Sequence, residues 1–107
     1  MRKQMMVRYR VAASRAEENE RLIAAVFEQL HDTRPAGLRY ASLKLGDGLG
    51  FVHLVSVDTV GDENPLTALP AFQSFLAGLR DRCDEPPVST AWEPVGAYGF
   101  FEVEQAA

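Results

Sequence analysis

The chain carries FVHLVSV at residues 51–57, a β-strand pattern that is apolar on both faces. A sheet with one face in water alternates apolar and polar side chains, so each face of this strand requires cover. Just before it, LRYASLKL at residues 38–45 predicts another strand, and the glycine-rich segment GDGLG at residues 46–50 joins the two as an antiparallel hairpin. The sequence therefore predicts a hairpin that is packed on both sides.

The N-terminal part of the chain predicts a strand followed by a helix. Residues 5–11 alternate between apolar and polar side chains, which is typical of a strand with one buried face. Apolar residues then recur at helical spacing, which predicts a helix from about Arg15 to His31. Ser14 and Glu17 fit a capping box at the start of this helix.

The C-terminal part of the chain predicts a second helix and a fourth strand. Pro70 suits the first position of a helix, and the apolar stripe along it consists of Phe72, Phe75, Leu76 and Leu79. We expect the helix to end before EPP at residues 85–87 and the strand to span residues 88–95. The apolar segment at residues 96–101 then either extends this strand or reaches onto a partner.

The elements follow one another as strand, helix, strand, strand, helix, strand. This order is the split βαβ arrangement of ferredoxin-like domains, so we expect an α+β fold with a four-stranded antiparallel sheet, in one domain over residues 1–107. Two helices cover only one face of such a sheet. Because the other face is also apolar, we expect it to pair with the same face of a second copy, giving a homodimer.

Composition limits the classes of function. The chain has 107 residues, of which 47% are hydrophobic, and its net charge of -4 speaks against an electrostatic grip on nucleic acid or on an anionic membrane. No stretch reaches the roughly 18 to 20 apolar residues of a membrane span, and arginines interrupt the N-terminus before a signal-peptide core forms, so we expect a cytoplasmic protein. The single cysteine, Cys83, allows no intramolecular disulfide, and no spacing predicts a metal site.

Three segments give the chain a family resemblance: GLRY at residues 37–40, FVHLV at residues 51–55 and LPAFQSFL at residues 69–76. In these segments, and in the order of its elements over nearly the whole chain, the sequence resembles the antibiotic-biosynthesis-monooxygenase-like (ABM-like) families of the dimeric α+β barrel superfamily. The resemblance implies a dimeric barrel. It also implies a cofactor-independent oxygenase acting on aromatic polyketides, a haem-degrading enzyme, or a small domain without catalytic activity.

The residues of the haem-degrading relatives are missing here. By resemblance, those relatives carry a tryptophan on the third strand and a histidine just before the phenylalanine of the second helix, and the matching positions are Val57 and Ala71. An acidic residue that is common on the third strand of relatives is matched by Val55. Because no imidazole is available as an axial iron ligand by this route, we expect no cofactor.

His53 is the candidate catalytic residue. It shares a strand face with Phe51, Val55 and Val57, and the resemblance implies that this face lines the barrel cavity. A neutral histidine in an apolar cavity is able to take a proton from a phenolic or enolic substrate, whose carbanion then reacts with oxygen. The alternative is a core histidine with a structural role, and a ring packed toward the protein's own helices would favour that alternative.

The candidate substrate-binding residues are aromatic, namely Tyr9, Tyr40, Phe51 and Trp92. Tyr9 and Trp92 are expected to wall a flat ligand, while Tyr40 or Tyr98 adds a hydroxyl donor. The alternative is that these large side chains supply buried area in the core or at an interface.

Two classes of function follow. The first is a cofactor-independent monooxygenase that acts on a small aromatic or polyketide-like compound, with His53 as proton acceptor. The second is a non-catalytic dimeric module that binds a small apolar or aromatic ligand or stabilises an assembly. Removing a polar residue of the cavity abolishes turnover in the first class and lowers only affinity in the second.

Overall fold

The element order of the protein is the one that the sequence predicts. A computed structural model describes residues 2–61 and 63–100. In chain order its elements are β1 (Arg2–Val11), a 3₁₀ turn (Ala13–Arg15), α1 (Ala16–Thr33), β2 (Leu38–Lys44), β3 (Gly50–Asp58), α2 (Pro70–Ala77), α3 (Leu79–Arg82) and β4 (Cys83–Ala91). No helix in the described ranges is both long and apolar enough to cross a membrane.

The four strands form one antiparallel sheet in the order β2-β3-β1-β4. β3 is central, with Val7 of β1 and Ser42 of β2 lying opposite His53 on its two sides. This α+β, ferredoxin-like arrangement confirms the predicted fold class, including the hairpin between β2 and β3.

The helices cover the sheet face that contains His53. Directly opposed residues share a face of a sheet, so Tyr9 and Phe51 point to the same side. Both belong to the buried core, whose other members include Val11 of β1, Val26 of α1, Phe75 of α2 and Leu79 of α3. This face, which the resemblance implies lines the barrel cavity, packs against the protein's own helices.

The opposite face of the sheet lacks such a cover within the described residues. Leu54 of β3 lies between Met6 and Ala41 of the neighbouring strands on this face. At its edges Leu43 is 38% exposed and Val88 is 58% exposed. This is the face for which the sequence predicts pairing with a second copy.

The start of α1 differs from the predicted capping box. Ser14 lies inside the 3₁₀ turn, and Arg15 occupies the N-cap without a capping bond from its side chain. Instead the Arg15 guanidinium donates to Glu18, with Nε and Oε1 2.7 Å apart. Just before the turn, the N–H of Ala12 donates to the carbonyl of Arg82 at 2.9 Å, which ties the end of β1 to the end of α3.

The second helix and the fourth strand also depart from the predicted boundaries. The helix breaks at Gly78, and β4 begins at Cys83 instead of residue 88 and ends at Ala91. Pairing with β1 shifts register between Arg8 and Arg10, opposite the stretch of β4 that contains Pro86 and Pro87. Prolines donate no ladder bond, so an edge strand accommodates them at an irregularity instead of starting after them. Of the predicted C-terminal segment, residues 96–100 lie outside regular structure and residue 101 lies outside the described residues.

Candidate functional site

A buried polar cluster lies between β3 and the helices, centred on His53. The Nε2 atom of His53 is 2.8 Å from the hydroxyl of Tyr9. On the other side of the ring, Nδ1 is 2.6 Å from the hydroxyl of Tyr40 and 2.9 Å from the Oγ atom of Ser42. Both ring nitrogens are thus engaged by hydroxyl groups, and the imidazole orientation is fixed.

Two further polar residues extend the cluster across the helices. Asn19 of α1 donates from Nδ2 to the Tyr9 hydroxyl at 2.9 Å, and Arg82 donates from Nε to Oδ1 of Asn19 at 3.0 Å. Arg82 also donates from Nη2 to the carbonyl of Phe75 at 2.8 Å. Asn19 and Arg82 are at most 1% exposed, so these bonds are shielded from water.

Aromatic rings form the walls around the imidazole. His53 lies with its ring centre 5.4 Å from that of Phe75 and 5.3 Å from that of Tyr9. Tyr9 stacks on Phe51 at 5.6 Å, and Tyr40 stacks on Phe27 at 5.1 Å. These contacts hold the polar atoms in an apolar surrounding, which strengthens each hydrogen bond inside it.

Burial keeps His53 and the two tyrosines that bond its ring uncharged. Desolvation lowers the pKa of His53 from 6.5 to about 4. Desolvation also raises the pKa of Tyr40 to about 12, although a hydrogen bond with Ser42 opposes this shift, and it raises the pKa of Tyr9 well above its usual value. At neutral pH the cluster therefore holds a neutral imidazole between two intact phenols.

A groove between α1 and β2 reaches the edge of the cluster. Its volume is about 180 Å³, and it is lined by Glu20, Ile23, Ala24, Ser42, Leu43, Lys44 and Phe51. Ser42 and Phe51 belong both to this groove and to the surroundings of His53. Lys44 donates to Glu20 at 3.1 Å across the rim. We name this feature the α1/β2 groove.

The α1/β2 groove accommodates only a small ligand as it stands. Sites for drug-sized molecules measure roughly 300 to 1,000 Å³, whereas a cavity of about 150 Å³ accepts a single benzene ring. A second depression of about 190 Å³ lies at residues 37–39, next to Arg2, Ser56 and Asp58. None of the residues that line it contacts His53, so it is separate from the cluster.

The structure brings together four of the five sequence-predicted site residues. Tyr9 and Tyr40 lie within hydrogen-bond distance of His53, and Phe51 stacks on Tyr9. Trp92 lies elsewhere, past the end of β4, where its backbone N–H donates to the carbonyl of Gln4 at 3.3 Å. Its place opposite Gln4 puts it on the open face of the sheet, so Trp92 does not form a wall with Tyr9. Tyr98 is 96% exposed, so it is not a member of the buried cluster.

Two members of the cluster that the motifs and the resemblance do not indicate, Asn19 and Arg82, nevertheless carry a signal in the sequence. Asn19 continues the apolar stripe of α1, because it lies four positions before Ile23, and Arg82 continues the stripe of Phe75 and Leu79. A polar residue at a stripe position is directed into the core, where it needs a partner. In the structure Asn19 and Arg82 are partners of each other.

The described residues contain no group of three or more His, Cys, Asp or Glu side chains arranged to hold a metal ion. Val57 and Ala71, at the positions that match the haem-binding residues of relatives, pack in or against the core. Cys83 is half-buried, and desolvation raises the pKa of its thiol. A raised pKa disfavours the thiolate that a nucleophilic cysteine requires.

Solved structures share this fold. A proposed antibiotic biosynthesis monooxygenase from Nitrosomonas europaea is 18% identical with a TM-score of 0.71, over 92% of this chain and 94% of that chain. Another, from Bacteroides thetaiotaomicron, is 14% identical with a TM-score of 0.73, over 88% and 90% of the two chains. SnoaB, a cofactor-independent oxygenase from Streptomyces nogalater, is 16% identical with a TM-score of 0.64, over 92% and 97%.

These structures define the class to which the fold belongs. The chain is ABM-like in fold, and the ferredoxin-like α+β domain that its sequence resemblance implies is confirmed. No protein-family model and no curated protein sequence matches the chain.

Proposed function

We propose that the protein is a cofactor-independent monooxygenase that acts on a small phenolic or enolic compound bound in the α1/β2 groove. The observation that carries this proposal is the buried, neutral imidazole of His53, which is hydrogen-bonded to Ser42 on the wall of that groove. Such an imidazole, with hydroxyl groups on both sides, is suited to control the proton and the negative charge of a substrate.

The proposed chemistry takes its electrons from the substrate itself. Loss of the hydroxyl proton to solvent gives an anion whose ring carbon forms a C–O bond to O₂, and the resulting peroxide anion takes up a proton to become a hydroperoxide. The O–O bond then breaks, one oxygen atom stays on carbon as a carbonyl, and the other leaves with two hydrogens as water. A phenol and O₂ thus give a quinone and water, so no external reductant is needed.

The fold comparison supports the same reaction class. SnoaB, which shares the fold over 92% of this chain, is named as an oxygenase that works without a cofactor. The volume of the α1/β2 groove favours a substrate with one aromatic ring over a polycyclic compound. Phe51 on the groove wall supplies an apolar surface for that ring.

The second candidate function is a non-catalytic module that binds a small apolar ligand. It is favoured by the hydrogen bonds of His53, since both ring nitrogens are already engaged and the ring packs toward the protein's own helices. In that case the cluster stabilises the core, and the groove binds without turnover.

Oxygen consumption with a panel of resorcinols and naphthalenediols, in the presence of a metal chelator, tests both candidates. Ala24 lines the groove, whereas Ala25 is an exposed neighbour outside it, so Ala24→Phe and Ala25→Phe form a matched pair. We expect uptake of O₂ by the wild type and by Ala25→Phe, with a loss of at least about tenfold in Ala24→Phe. Binding in the groove without O₂ uptake by any of the proteins would support the non-catalytic module and overturn the oxygenase.

A further inference from the structure

Four buried side chains form a continuous line of hydrogen bonds that ends at His53. The order is Arg82, Asn19, Tyr9 and His53, with successive contacts of 3.0, 2.9 and 2.8 Å. All four are at most 5% exposed, so water does not compete for these atoms. In such a line, the direction of each hydrogen bond restricts the direction of the next.

The direction is set at the Arg82 end. A guanidinium only donates, so the Asn19 atom that faces it must be the amide oxygen. The amide nitrogen of Asn19 then faces Tyr9 and donates to the phenol oxygen. The usual ambiguity between the oxygen and nitrogen atoms of an asparagine is therefore absent at Asn19.

Tyr9 passes this direction on to His53. Within residues 2–61 and 63–100, the Tyr9 hydroxyl bonds only Asn19 and His53. Since Asn19 donates to it, the phenol hydrogen has one acceptor within reach, the Nε2 atom of His53. The reverse arrangement, with Nε2 protonated, would leave the phenol hydrogen buried without an acceptor.

We infer that Arg82, acting through Asn19 and Tyr9, is a positioning residue that holds His53 in the neutral tautomer with its proton on Nδ1. That proton is then donated to the hydroxyl oxygens of Tyr40 and Ser42. The hydroxyl hydrogens on this side of the ring are left to point away from the imidazole. Because Ser42 lines the α1/β2 groove, the cluster presents a donor to the groove.

This inference rests on the proposed function for its catalytic meaning. A proton acceptor on the groove side would need an unprotonated Nδ1 atom. With its proton on Nδ1, His53 is therefore not the proton acceptor that the sequence predicts, and acts instead as a hydrogen-bond donor. The substrate class becomes more specific, because a donor at Ser42 stabilises a phenolate or enolate oxygen as it forms. Compounds that bind as anions are thus expected to be preferred over neutral isosteres.

The first experiment measures the tautomer in the ligand-free protein. Heteronuclear NMR of the histidine ring nitrogens at pH 7 distinguishes a protonated nitrogen from a bare one, and His53 is neutral there since its pKa is lowered to about 4. We expect the protonated nitrogen of the wild type to be Nδ1. A wild-type spectrum with the proton on Nε2 would overturn the inference without any variant.

Asn19→Asp should reverse the tautomer. An aspartate at this position accepts from both Arg82 and Tyr9, so the Tyr9 oxygen becomes free to accept from Nε2–H and the proton of His53 moves from Nδ1 to Nε2. The matched control is Asn64→Asp, because Asn64 is remote from the cluster and uses its Oδ1 to accept from the N–H of Leu66, a bond that aspartate keeps. An unchanged tautomer in a folded Asn19→Asp protein contradicts the inference.

Arg82→Lys supplies the conservative variant. An ammonium group also only donates, so a folded Arg82→Lys protein should keep the proton on Nδ1, and a switch to Nε2 would contradict the role assigned to Arg82. None of these spectra depends on turnover. The absence of O₂ uptake would therefore remove the proposed function and leave the tautomer standing, whereas the wrong tautomer in an active protein would remove only the inference.

Discussion

Ser42 and His53 lie directly opposite each other on β2 and β3, and their side chains meet with Oγ 2.9 Å from Nδ1. This pair connects two parts of the protein that are otherwise separated by aromatic rings. On one side is the buried cluster of Tyr9, Asn19 and Arg82, and on the other is the α1/β2 groove. A ligand in the groove therefore reaches the imidazole through a single hydroxyl group.

The first prediction concerns the pH dependence of stability. Burial lowers the pKa of His53 to about 4 in the folded protein, against 6.5 for an ordinary histidine. The unfolded chain therefore binds a proton at a higher pH than the folded one, so stability is complete above pH 6.5 and falls as the pH drops toward 4. The pKa difference corresponds to about 3 kcal/mol of unfolding free energy lost by pH 4.

His53→Gln provides the comparison for this measurement. Glutamine retains hydrogen-bonding atoms but does not titrate, so the variant should be less stable at pH 7 and should lack the histidine part of the acid destabilisation. Urea denaturation of both proteins at a series of pH values gives the difference. Parallel pH profiles for the two proteins would show that His53 has an ordinary pKa in the folded state.

The second prediction separates the tyrosines. Tyr9→Phe leaves both Asn19 and His53 without their buried partner, so we expect a loss of about 1 to 3 kcal/mol in unfolding free energy. Tyr40→Phe should cost less, because Ser42 still bonds Nδ1 of His53. Tyr98→Phe is the control and should change nothing, since Tyr98 is 96% exposed. A Tyr9→Phe protein as stable as Tyr98→Phe would contradict the buried network.

Sequence patterns predict the elements that are defined by a local residue period, and they do not predict features that depend on pairing between distant segments. Local geometry is specified by the strand and helix periods, by the hairpin loop and by Pro70. The structure contains the corresponding strands, helices and hairpin, and α2 begins at Pro70. The register of β4 on β1 is not local, so sequence patterns predict a strand boundary at Pro86 and Pro87 where the strand is continuous, and they predict Trp92 beside Tyr9 where the structure places the two apart.

The sequence predicts the strand residues of the candidate site but not the helix residues that bond them. His53 is recognisable as a polar residue on an apolar strand face, and Tyr9 and Tyr40 occupy alternating positions of β1 and β2, the two strands on either side of β3. Which helix side chain reaches which hydroxyl depends on how α1, α2 and α3 pack, and no spacing in the sequence encodes that. The contact between Asn19 and Arg82 joins residues 63 positions apart.

The third prediction concerns the open face of the sheet, which we propose forms a homodimer. Leu54 lies at the centre of this face between Met6 and Ala41, so a lysine there would place a charge in the interface. We expect Leu54→Lys to shift the protein to monomer by sedimentation velocity. Leu76→Lys is the control, because Leu76 is 46% exposed on α2, and it should leave the dimer intact. A wild-type protein that sediments as a monomer at micromolar concentration would contradict the dimer.

The last prediction concerns the turn that leads into β2, and it uses three glycines as an internal comparison. Gly37 has φ of 78°, and a Cβ atom there would clash with the carbonyl oxygen of Asp58. The N–H of Asp58 donates to the carbonyl of Gly37 at 2.7 Å, so the backbone at this point cannot retreat without losing that bond. Gly48 also has φ of 78° but has open space around it, and Gly46 has open space without a positive φ.

The three alanine variants should therefore rank in a fixed order. Gly46→Ala is expected to be close to neutral, and Gly48→Ala should cost about 1 kcal/mol because only the backbone conformation is strained. Gly37→Ala adds a steric conflict with the end of β3 to the same backbone strain, so its loss should exceed that of Gly48→Ala by about 1 to 3 kcal/mol. Urea denaturation at pH 7 measures all three. Equal losses at Gly37 and Gly48 would mean that the chain around residue 58 yields to the added methyl group, and the close approach of β2 to the end of β3 would then not be a fixed feature of the fold.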